Sequence, residues 1–484
     1  MSDKIMNDFN GEKMKGGSTP GSGSSGMMEN SVHAQRYNEL AGALLSWYAK
    51  KNAGENLVLS PFSVLVLLAM AADATGGVTR DEIVEAICGG GNASAGDTSA
   101  SDASAEDVSA AEIIEWVAGL EQELTEGEAL QCSNVAIVQE RIADTVVPGY
   151  EARLEKTFGG KLFASGNIVH DVNAWVREKT HGMIDSVADD SMREMLLCLA
   201  NAIAFEAEWQ EQYEDTQVVN EDFRNADGSI SRVKMLVSEE KEFVEDANYT
   251  GFVKPYKNTD YSYMALLPKD ENLRISPKEL RVNVTDLYRR RERMDEVNVT
   301  MPEFKFTSDF DLKDICQEMG IRTAFTPDAD FSGISETWLM LESIVHKAHI
   351  EVDRHGTKAA AVTMGGLYAR GIPDWSRIKD VTLDRPFLFA IVHNGTGLPV
   401  FVGVVNHLEE TTDADKMTRE EKRQICDPIR DQVFAWVLDE DGVCDHGTKE
   451  SEYFWRTMEA YNRLDVDALR QVRDEVRVYR GRKK

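Results

Sequence analysis

The spacing of apolar residues along the chain predicts a mixture of helices and strands. Between residues 34 and 51, apolar side chains recur every three or four positions, which is the period of one face of a helix. Residues 196–205 form a nearly continuous apolar run, which is typical of a central strand covered on both faces. A shorter apolar run at residues 57–59 leads to Ser60, a residue suited to cap the apolar helix predicted over residues 64–72.

The pattern changes twice between residues 346 and 375. The stretch begins with the alternation of a strand around Ile350 and Val352, and after Gly356 it becomes a run of small and β-branched residues. It ends in a glycine-rich segment whose lone cation is Arg370. A permanently buried strand would use larger apolar residues, and a permanent loop would use turn and charged residues. We therefore expect a loop that can also become a strand.

The side chains of this stretch suit the two faces of such a strand. Alternate residues point to opposite faces, and those on one face are all small: Thr357, Ala359, Ala361, Thr363 and Gly365. Lys358 falls on the other face, where its charge avoids the cost of burial. Each ladder hydrogen bond gained contributes roughly 0.5–1.5 kcal/mol, so about ten would contribute on the order of 10 kcal/mol. That free energy is enough to drive a large conformational change.

The stretch resembles the hinge and reactive-centre loop of the serpin family. The residues that match the family's hinge pattern position by position are Gly356, Thr357, Ala359, Ala360, Ala361 and Thr363. In that family the loop inserts into a sheet as an added strand. The family places the hinge threonine fourteen residues before the scissile bond, so the resemblance implies a reactive bond between Arg370 and Gly371.

Other segments match the serpin family in the same order over residues 34 to 407. Ser60 and Ser63 match two buried serines beneath the sheet that must open. Asn201 and Trp209 match the family's shutter asparagine and the tryptophan near the top of the opening sheet, the breach. His346 matches a buried histidine, which the resemblance implies is hydrogen-bonded to Asn201 and to the serine helix.

The resemblance implies an α+β serpin fold, with about nine helices packed on three β-sheets and an exposed reactive-centre loop. The serpin domain is expected over residues 31–408, with the loop at residues 356–380. Residues 1–30 predict a flexible Gly/Ser linker, and residues 89–110 predict a disordered insertion. Residues 409–484 predict a helical C-terminal extension. Its apolar stripes are Ile425, Ile429, Val433, Trp436 and Val437, then Phe454, Met458 and Tyr461, and then Leu469, Val472 and Val476.

The net charge of −31 limits the partners that the protein can have. Nucleic acids and anionic membranes repel an acidic body, so neither is expected. The predicted helix over residues 112–124 exposes Glu115, Glu121 and Glu123, so heparin-type activation, which uses a basic helix in some serpins, is not expected either. We expect a monomer of bacterial origin.

Six scattered cysteines without CxxC spacing predict free thiols. No signal peptide is visible, so the sequence as written predicts a cytoplasmic protein, whereas the family resemblance suggests the extracellular space. His346 and His349 are three positions apart on a predicted strand and face opposite sides, so no metal site is expected. No GxSxG, HExxH or Walker pattern is present, and we expect neither catalytic residues nor a cofactor.

The expected function is inhibition of serine proteases by suicide trapping. A trypsin-like protease is favoured, because its acidic specificity pocket accepts a side chain such as Arg370. The loop is longer than is usual in the family, so Tyr368 or Leu367 is an alternative cleavage site, and Tyr368 would favour chymotrypsin-like proteases. Arg354 stands where the family usually has an acidic residue. The alternative function left open is that of a non-inhibitory serpin, a chaperone or carrier.

Overall fold

The computed structural model of the protein describes residues 32–52, 54–89, 109–270, 282–342, 344–357, 377–410, 419–438, 448–462 and 466–483. The chain divides into two compact units, and the second consists of Ser231–Lys234 and Glu409–Lys484. In the described part of the first unit, the helices are α1 (Val32–Lys51), α2 (Pro61–Ala74), α3 (Gly77–Ile87), α4 (Ala110–Leu124), α5 (Tyr150–Phe158), α6 (Ile168–Lys179), α7 (Val284–Arg289) and α8 (Lys313–Glu318).

The described strands, in chain order, are β1 (Leu57–Leu59), β2 (Leu130–Gln139), β3 (Lys161–Ser165), β4 (Leu197–Phe205), β5 (Ala207–Glu208), β6 (Val218–Arg224), β7 (Ile230–Glu245) and β8 (Tyr249–Pro255). They continue with β9 (Tyr261–Pro268), β10 (Glu292–Pro302), β11 (Phe304–Asp311), β12 (Val345–Val352), β13 (Gly356–Thr357), β14 (Ile378–Thr382), β15 (Phe387–His393) and β16 (Pro399–Val405).

Local sequence explains where the helices near the candidate site begin. The Ser60 side chain accepts a hydrogen bond from the Ser63 N–H, and Pro61 occupies the first turn of α2, where its missing N–H costs nothing. α2 is apolar on nearly every side and buried along nearly its whole length. α4 begins with a capping box, in which Ser109 and Glu112 each accept a hydrogen bond from the other's backbone N–H.

A nine-stranded sheet is the largest sheet of the described residues. Its strand order is β1-β16-β15-β9-β8-β7-β10-β14, with β6 also pairing with β7. Every residue of β9, β15 and β16 is buried, as expected for strands covered on both faces. Gly403 on β16 allows close packing, because a Cβ atom there would lie 2.3 Å from the Leu57 carbonyl oxygen and 2.4 Å from the Phe389 ring.

Two smaller sheets make up what we call the divided layer. Their strand orders are β3-β2-β4 and β11-β12-β13-β5. The two sheets meet at one end, because β5 follows β4 along the chain after a single residue. Away from that end, β4 pairs with β2 and β12 pairs with β11. Among the described residues, β4 and β12 do not pair with each other.

The second unit contains three helices in its described part: α9 (Arg419–Val437), α10 (Lys449–Asn462) and α11 (Val466–Lys483). Their buried apolar residues form two clusters, one with Cys426, Ile429, Ala460 and Leu469 and the other with Val433, Val437, Tyr453, Val472 and Val476. The predicted stripes therefore supply most of this core. The predicted α+β fold class is confirmed, because the first unit combines helices with three β-sheets and helices also make up the C-terminal unit.

Candidate functional site

The serine helix and β12 are joined by a buried histidine. The Ser60 N–H donates to His346 Nε2 at 3.1 Å, and the Ser60 hydroxyl donates to the Val400 carbonyl at 2.8 Å. Burial lowers the pKa of His346 to about 4, because the charged imidazolium loses its hydration. The ring is therefore neutral at pH 7, with Nε2 as the acceptor and the proton on Nδ1.

Asn201 does not make the hydrogen bond to His346 that the family resemblance implies. Its amide nitrogen donates to Asn134 Oδ1 at 2.7 Å and to Cys132 Sγ at 3.0 Å. Asn201 Oδ1 is buried and has no hydrogen-bond partner among the described residues. The reason is strand pairing, since β4 lies against β2 with Asn201 directly opposite Asn134, whereas β4 and β12 are not paired.

Glu121 is also placed differently from the expectation for an acidic surface helix. Its Oε1 accepts a hydrogen bond from the Asn134 side chain at 2.6 Å, and its Oε2 is buried. Asn134 is 4% exposed and its second amide hydrogen goes to the Phe158 carbonyl at 2.8 Å. The helix α4 therefore turns one of its carboxylates towards β2, because the inward-facing Asn134 offers a donor there.

The first two hinge residues form the short strand β13. Thr357 lies opposite Val352 of β12 and Ala207 of β5, and Gly356 lies opposite Glu208. A Cβ atom at Gly356 would lie 2.1 Å from the Ala207 carbonyl oxygen, so this close approach requires glycine. Thr357 is 2% exposed, and its hydroxyl is 2.6 Å from the hydroxyl of Tyr256, which is also buried.

Trp209 anchors the segment that leads into the hinge. Its backbone N–H donates to the His355 carbonyl at 2.9 Å, and its indole N–H donates to the Asp353 carbonyl at 2.8 Å. The ring is fully buried and stacks on Tyr256 with centroids 4.7 Å apart. Trp209 and the hinge residue Thr357 therefore contact the same aromatic side chain.

A buried ion pair lies beside this tryptophan. Lys254 Nζ is 2.6 Å from Glu240 Oε1, with both side chains less than a tenth exposed. The ammonium also lies 5.5 Å from the centre of the Trp209 ring and 4.6 Å from that of Tyr213. Interactions with Tyr213 and Glu240 raise the pKa of Lys254 against the opposing effect of burial. In the sequence, the lone lysine within the apolar segment GFVKPY could have indicated such a buried ion pair.

Arg354, the residue that departs from the family pattern, has acidic partners. Its guanidinium forms an ion pair with Asp215 and lies 3.9 Å from Glu303 Oε1. Its backbone N–H donates to the same Glu303 oxygen at 3.2 Å, and its carbonyl accepts from the Tyr213 N–H at 3.1 Å. The basic residue at the base of the hinge is thus electrostatically matched by its surroundings.

The remaining hinge and reactive-bond residues lie outside the described residues. They are Ala359, Ala360, Ala361, Thr363, Arg370 and Gly371. Within the described ranges, no three His, Cys, Asp or Glu side chains come together in a way that could hold a metal ion. No helix in those ranges is long and apolar enough to span a membrane.

Comparisons with known proteins cover the first unit. A family model described as "Serpin (serine protease inhibitor)" matches residues 35–408. Iripin-3 of Ixodes ricinus is 30% identical over 375 residues, 73% of this chain and 90% of the relative. The leukocyte elastase inhibitor of Sus scrofa is 30% identical over 280 residues, 53% of this chain and 72% of the relative. The solved structure of native tengpin, a thermophilic serpin, is 30% identical, covers 77% of this chain and 94% of tengpin, and has a TM-score of 0.66.

Proposed function

The chain belongs to the serpin family, and on that premise we propose that it inhibits serine proteases by acting as a suicide substrate. A protein named leukocyte elastase inhibitor is among its relatives. The favoured target is a trypsin-like protease, because Arg370 suits an acidic specificity pocket and the hinge places the reactive bond at Arg370–Gly371. Residues 31–408 carry this activity as a monomer without a cofactor.

The covalent step of the proposed reaction is that of the target protease. The protease serine attacks the carbonyl carbon of Arg370, the peptide bond to Gly371 breaks, and Gly371 leaves as a protonated amine. Arg370 then remains bound to the serine as an ester. Release needs water to attack that ester, so the protease stays trapped if the cleaved loop inserts and distorts the protease active site first.

The position of the first hinge residues carries the proposal. Gly356 and Thr357 lie between β12 and β5, and Thr357 turns its small side chain into the core. Beyond β13, the described parts of β4 and β12 are not paired with each other. A strand continuing from β13 between them would gain roughly 0.5–1.5 kcal/mol from each ladder hydrogen bond.

A groove next to β4 supports the same proposal. It encloses roughly 690 Å³, counting its open side, and most of its lining residues have apolar side chains. The lining includes Leu67 and Ala71 of α2, residues 197–200 of β4, and residues 340–342, which precede β12. Small side chains of an added strand would bury apolar surface here, at about 25 cal/mol per Å².

Incubation with trypsin tests the proposed function. We expect a complex that survives SDS, together with a released C-terminal fragment whose N-terminal residue is Gly371. If chymotrypsin in place of trypsin forms the complex and releases a fragment beginning at Ala369, the reactive bond moves to Tyr368 and chymotrypsin-like targets are favoured. A chain that is only nicked, without a complex, would contradict the proposal and favour the non-inhibitory alternative.

The substitution Thr363→Arg tests insertion separately from cleavage, because residue 363 shares the predicted inward face of Thr357 but follows β13, in which Thr357 is already buried. An arginine on the inward face would place a charge in the core, so we expect cleavage to continue while trapping falls at least tenfold. Lys358→Arg is the matched control, because residue 358 is on the opposite face of the strand. Equal trapping by the two variants would contradict insertion of the hinge.

A further inference from the structure

Four side chains from α4, β2 and β4 form a buried polar cluster that the proposed mechanism does not use. We call it the carboxyl cluster, and its members are Glu121, Cys132, Asn134 and Asn201. Asn134 links the other elements, since it donates to Glu121 Oε1 at 2.6 Å and accepts from Asn201 at 2.7 Å. The cluster therefore connects the helix α4 to β2 and β4, which are neighbouring strands of the sheet β3-β2-β4.

The hydrogens and acceptors of this cluster do not balance if Glu121 is ionised. Both amide hydrogens of Asn134 are used, by Glu121 Oε1 and the Phe158 carbonyl, and both of Asn201 are used, by Asn134 Oδ1 and Cys132 Sγ. Two buried acceptors, Glu121 Oε2 and Asn201 Oδ1, have no partner in the described part of the chain. The Cys132 thiol supplies one further hydrogen, through its hydrogen bond to Glu121, so one acceptor of the cluster still lacks a hydrogen while Glu121 is ionised. A proton on Glu121 would supply it.

We propose that Glu121 is held in the folded protein as a neutral carboxylic acid that locks α4 to β2 and β4, and that its ionisation weakens this lock. The proposal rests on the hydrogen that the cluster lacks when Glu121 is ionised. Burial also raises the pKa of Glu121 above its ordinary value of 4.5, and the hydrogen bonds from Cys132 and Asn134 oppose this rise only in part. Glu121 is thus a positioning residue for β4.

The surroundings of Glu121 contain few groups that would stabilise a carboxylate. From β2, the Cys132 thiol faces it, and burial raises the pKa of that thiol well above its usual range, so it stays neutral. Tyr261 of β9 donates to the Leu124 carbonyl of α4 and interacts electrostatically with Cys132 and Glu123. α2, α3 and α5 also pack against α4, but none of their described side chains contributes to the pKa of Glu121.

Ionisation of Glu121 should make the protein less stable as pH rises. The folded state binds this proton more tightly than the unfolded state, so the stabilisation is fully present below pH 4.5 and is lost as pH rises through the raised pKa. Each unit by which the pKa is raised changes the unfolding equilibrium constant about tenfold. This consequence does not depend on protease inhibition.

Glu121→Gln is the decisive variant, because an amide mimics the protonated acid at every pH. We expect urea unfolding to show that the stability of wild type relative to Glu121→Gln falls as pH rises from 4.5 to 8, because groups such as His346 shift both profiles equally. Glu115→Gln is the matched control, since Glu115 is an exposed carboxylate on the same helix. Parallel pH profiles for wild type and Glu121→Gln would overturn the proposal. So would failure of Glu121→Gln to fold, because a neutral side chain should fit.

A direct titration gives a second test with the unaltered side chain. In wild-type protein labelled with ¹³C at the glutamate carboxyls, the signal missing from Glu121→Gln should titrate above the exposed glutamates. A normal titration near 4.5 would overturn the proposal. A third measurement rests on the proposed function: raising the pH, which ionises Glu121, should speed the spontaneous loss of inhibitory activity in wild type more than in Glu121→Gln. If no inhibition is found at all, the unfolding and titration results still decide the role of Glu121.

Discussion

The nine-stranded sheet and the divided layer both contain strands that are mostly buried, yet the two regions are held together differently. In the nine-stranded sheet, each strand along the order β1-β16-β15-β9-β8-β7-β10-β14 pairs with the next. Large side chains such as Phe389 fill the space around Gly403. In the divided layer, β4 and β12 are not paired in the described residues, and Asn201 and His346 make separate hydrogen bonds. Apolar packing therefore stabilises the nine-stranded sheet, whereas a few polar contacts stabilise the present arrangement of the divided layer.

The largest expected effect comes from disturbing the nine-stranded sheet. In Gly403→Ala, the new methyl group would overlap the Leu57 carbonyl and the Phe389 ring, so we expect a loss of about 3 kcal/mol or more in unfolding free energy. Gly42→Ala is the control, because nothing lies within 4 Å of its added Cβ and alanine favours the helix α1. Denaturant unfolding measures both. A tolerated Gly403→Ala would show that this sheet is not close-packed.

The next effect is the pH dependence of the divided layer. The pKa of His346 is lowered from 6.5 to about 4, so the stability it contributes is present above pH 6.5 and is lost as pH falls towards 4. This loss amounts to about 3 kcal/mol in unfolding free energy. We expect His346→Gln to flatten the decline between pH 6.5 and pH 4. His407→Gln, at an exposed position, should keep it, and equal slopes in the two variants would contradict the assignment.

A smaller effect should follow from loosening Thr357, the second hinge residue. Tyr256→Phe removes the partner of the buried Thr357 hydroxyl, so we expect a loss of about 1 kcal/mol in unfolding free energy. Tyr263→Phe is a close control, because the Tyr263 hydroxyl is buried without a partner among the described residues and its removal should be neutral or stabilising. The double variant Tyr256→Phe with Thr357→Val should recover part of the loss.

The smallest effect is expected at the base of the hinge. Arg354 is 28% exposed and its partner Asp215 is 94% exposed, so solvent weakens this ion pair. We expect Arg354→Gln to lower the unfolding free energy by about 0.5 kcal/mol and to leave trapping of trypsin within twofold of wild type. A large loss of trapping would show that the basic residue at this position has a role beyond the local ion pairs.

Local patterns in the sequence were sufficient for the elements and for the family. The period of apolar residues depends only on which face of an element is buried, so α1 and the C-terminal helices were predicted from spacing, whereas continuous apolar runs predicted α2 and β4. The serine cap at Ser60 was equally local, since the cap and its partner Ser63 are three residues apart. The hinge was predicted because a loop that must also fit a sheet is expected to combine such small residues in alternation.

The hydrogen-bond partners of the polar residues could not be predicted, because they come from elements that only the folded structure brings together. Glu121 lies four positions after Val117, so the helical period already puts it beside the buried face and Glu115 on the opposite face, but only the packing of β2 supplies its partner Asn134. Tyr256 became part of the hinge site through its contact with Thr357, which is 101 positions further along the chain. Neither contact has a local signal, since a hydrogen bond between distant residues depends on how their elements pack.

The sequence by itself determined the class of the fold and its family, and it predicted the segment that forms the hinge, because these follow from residue size, polarity and spacing over short distances. Only the tertiary structure decided which polar groups meet: Asn201 with Asn134 and not with His346, and Arg354 with Asp215 and Glu303. The physical reason is strand register, since the pairing of β4 with β2 selects the residue that stands opposite each side chain.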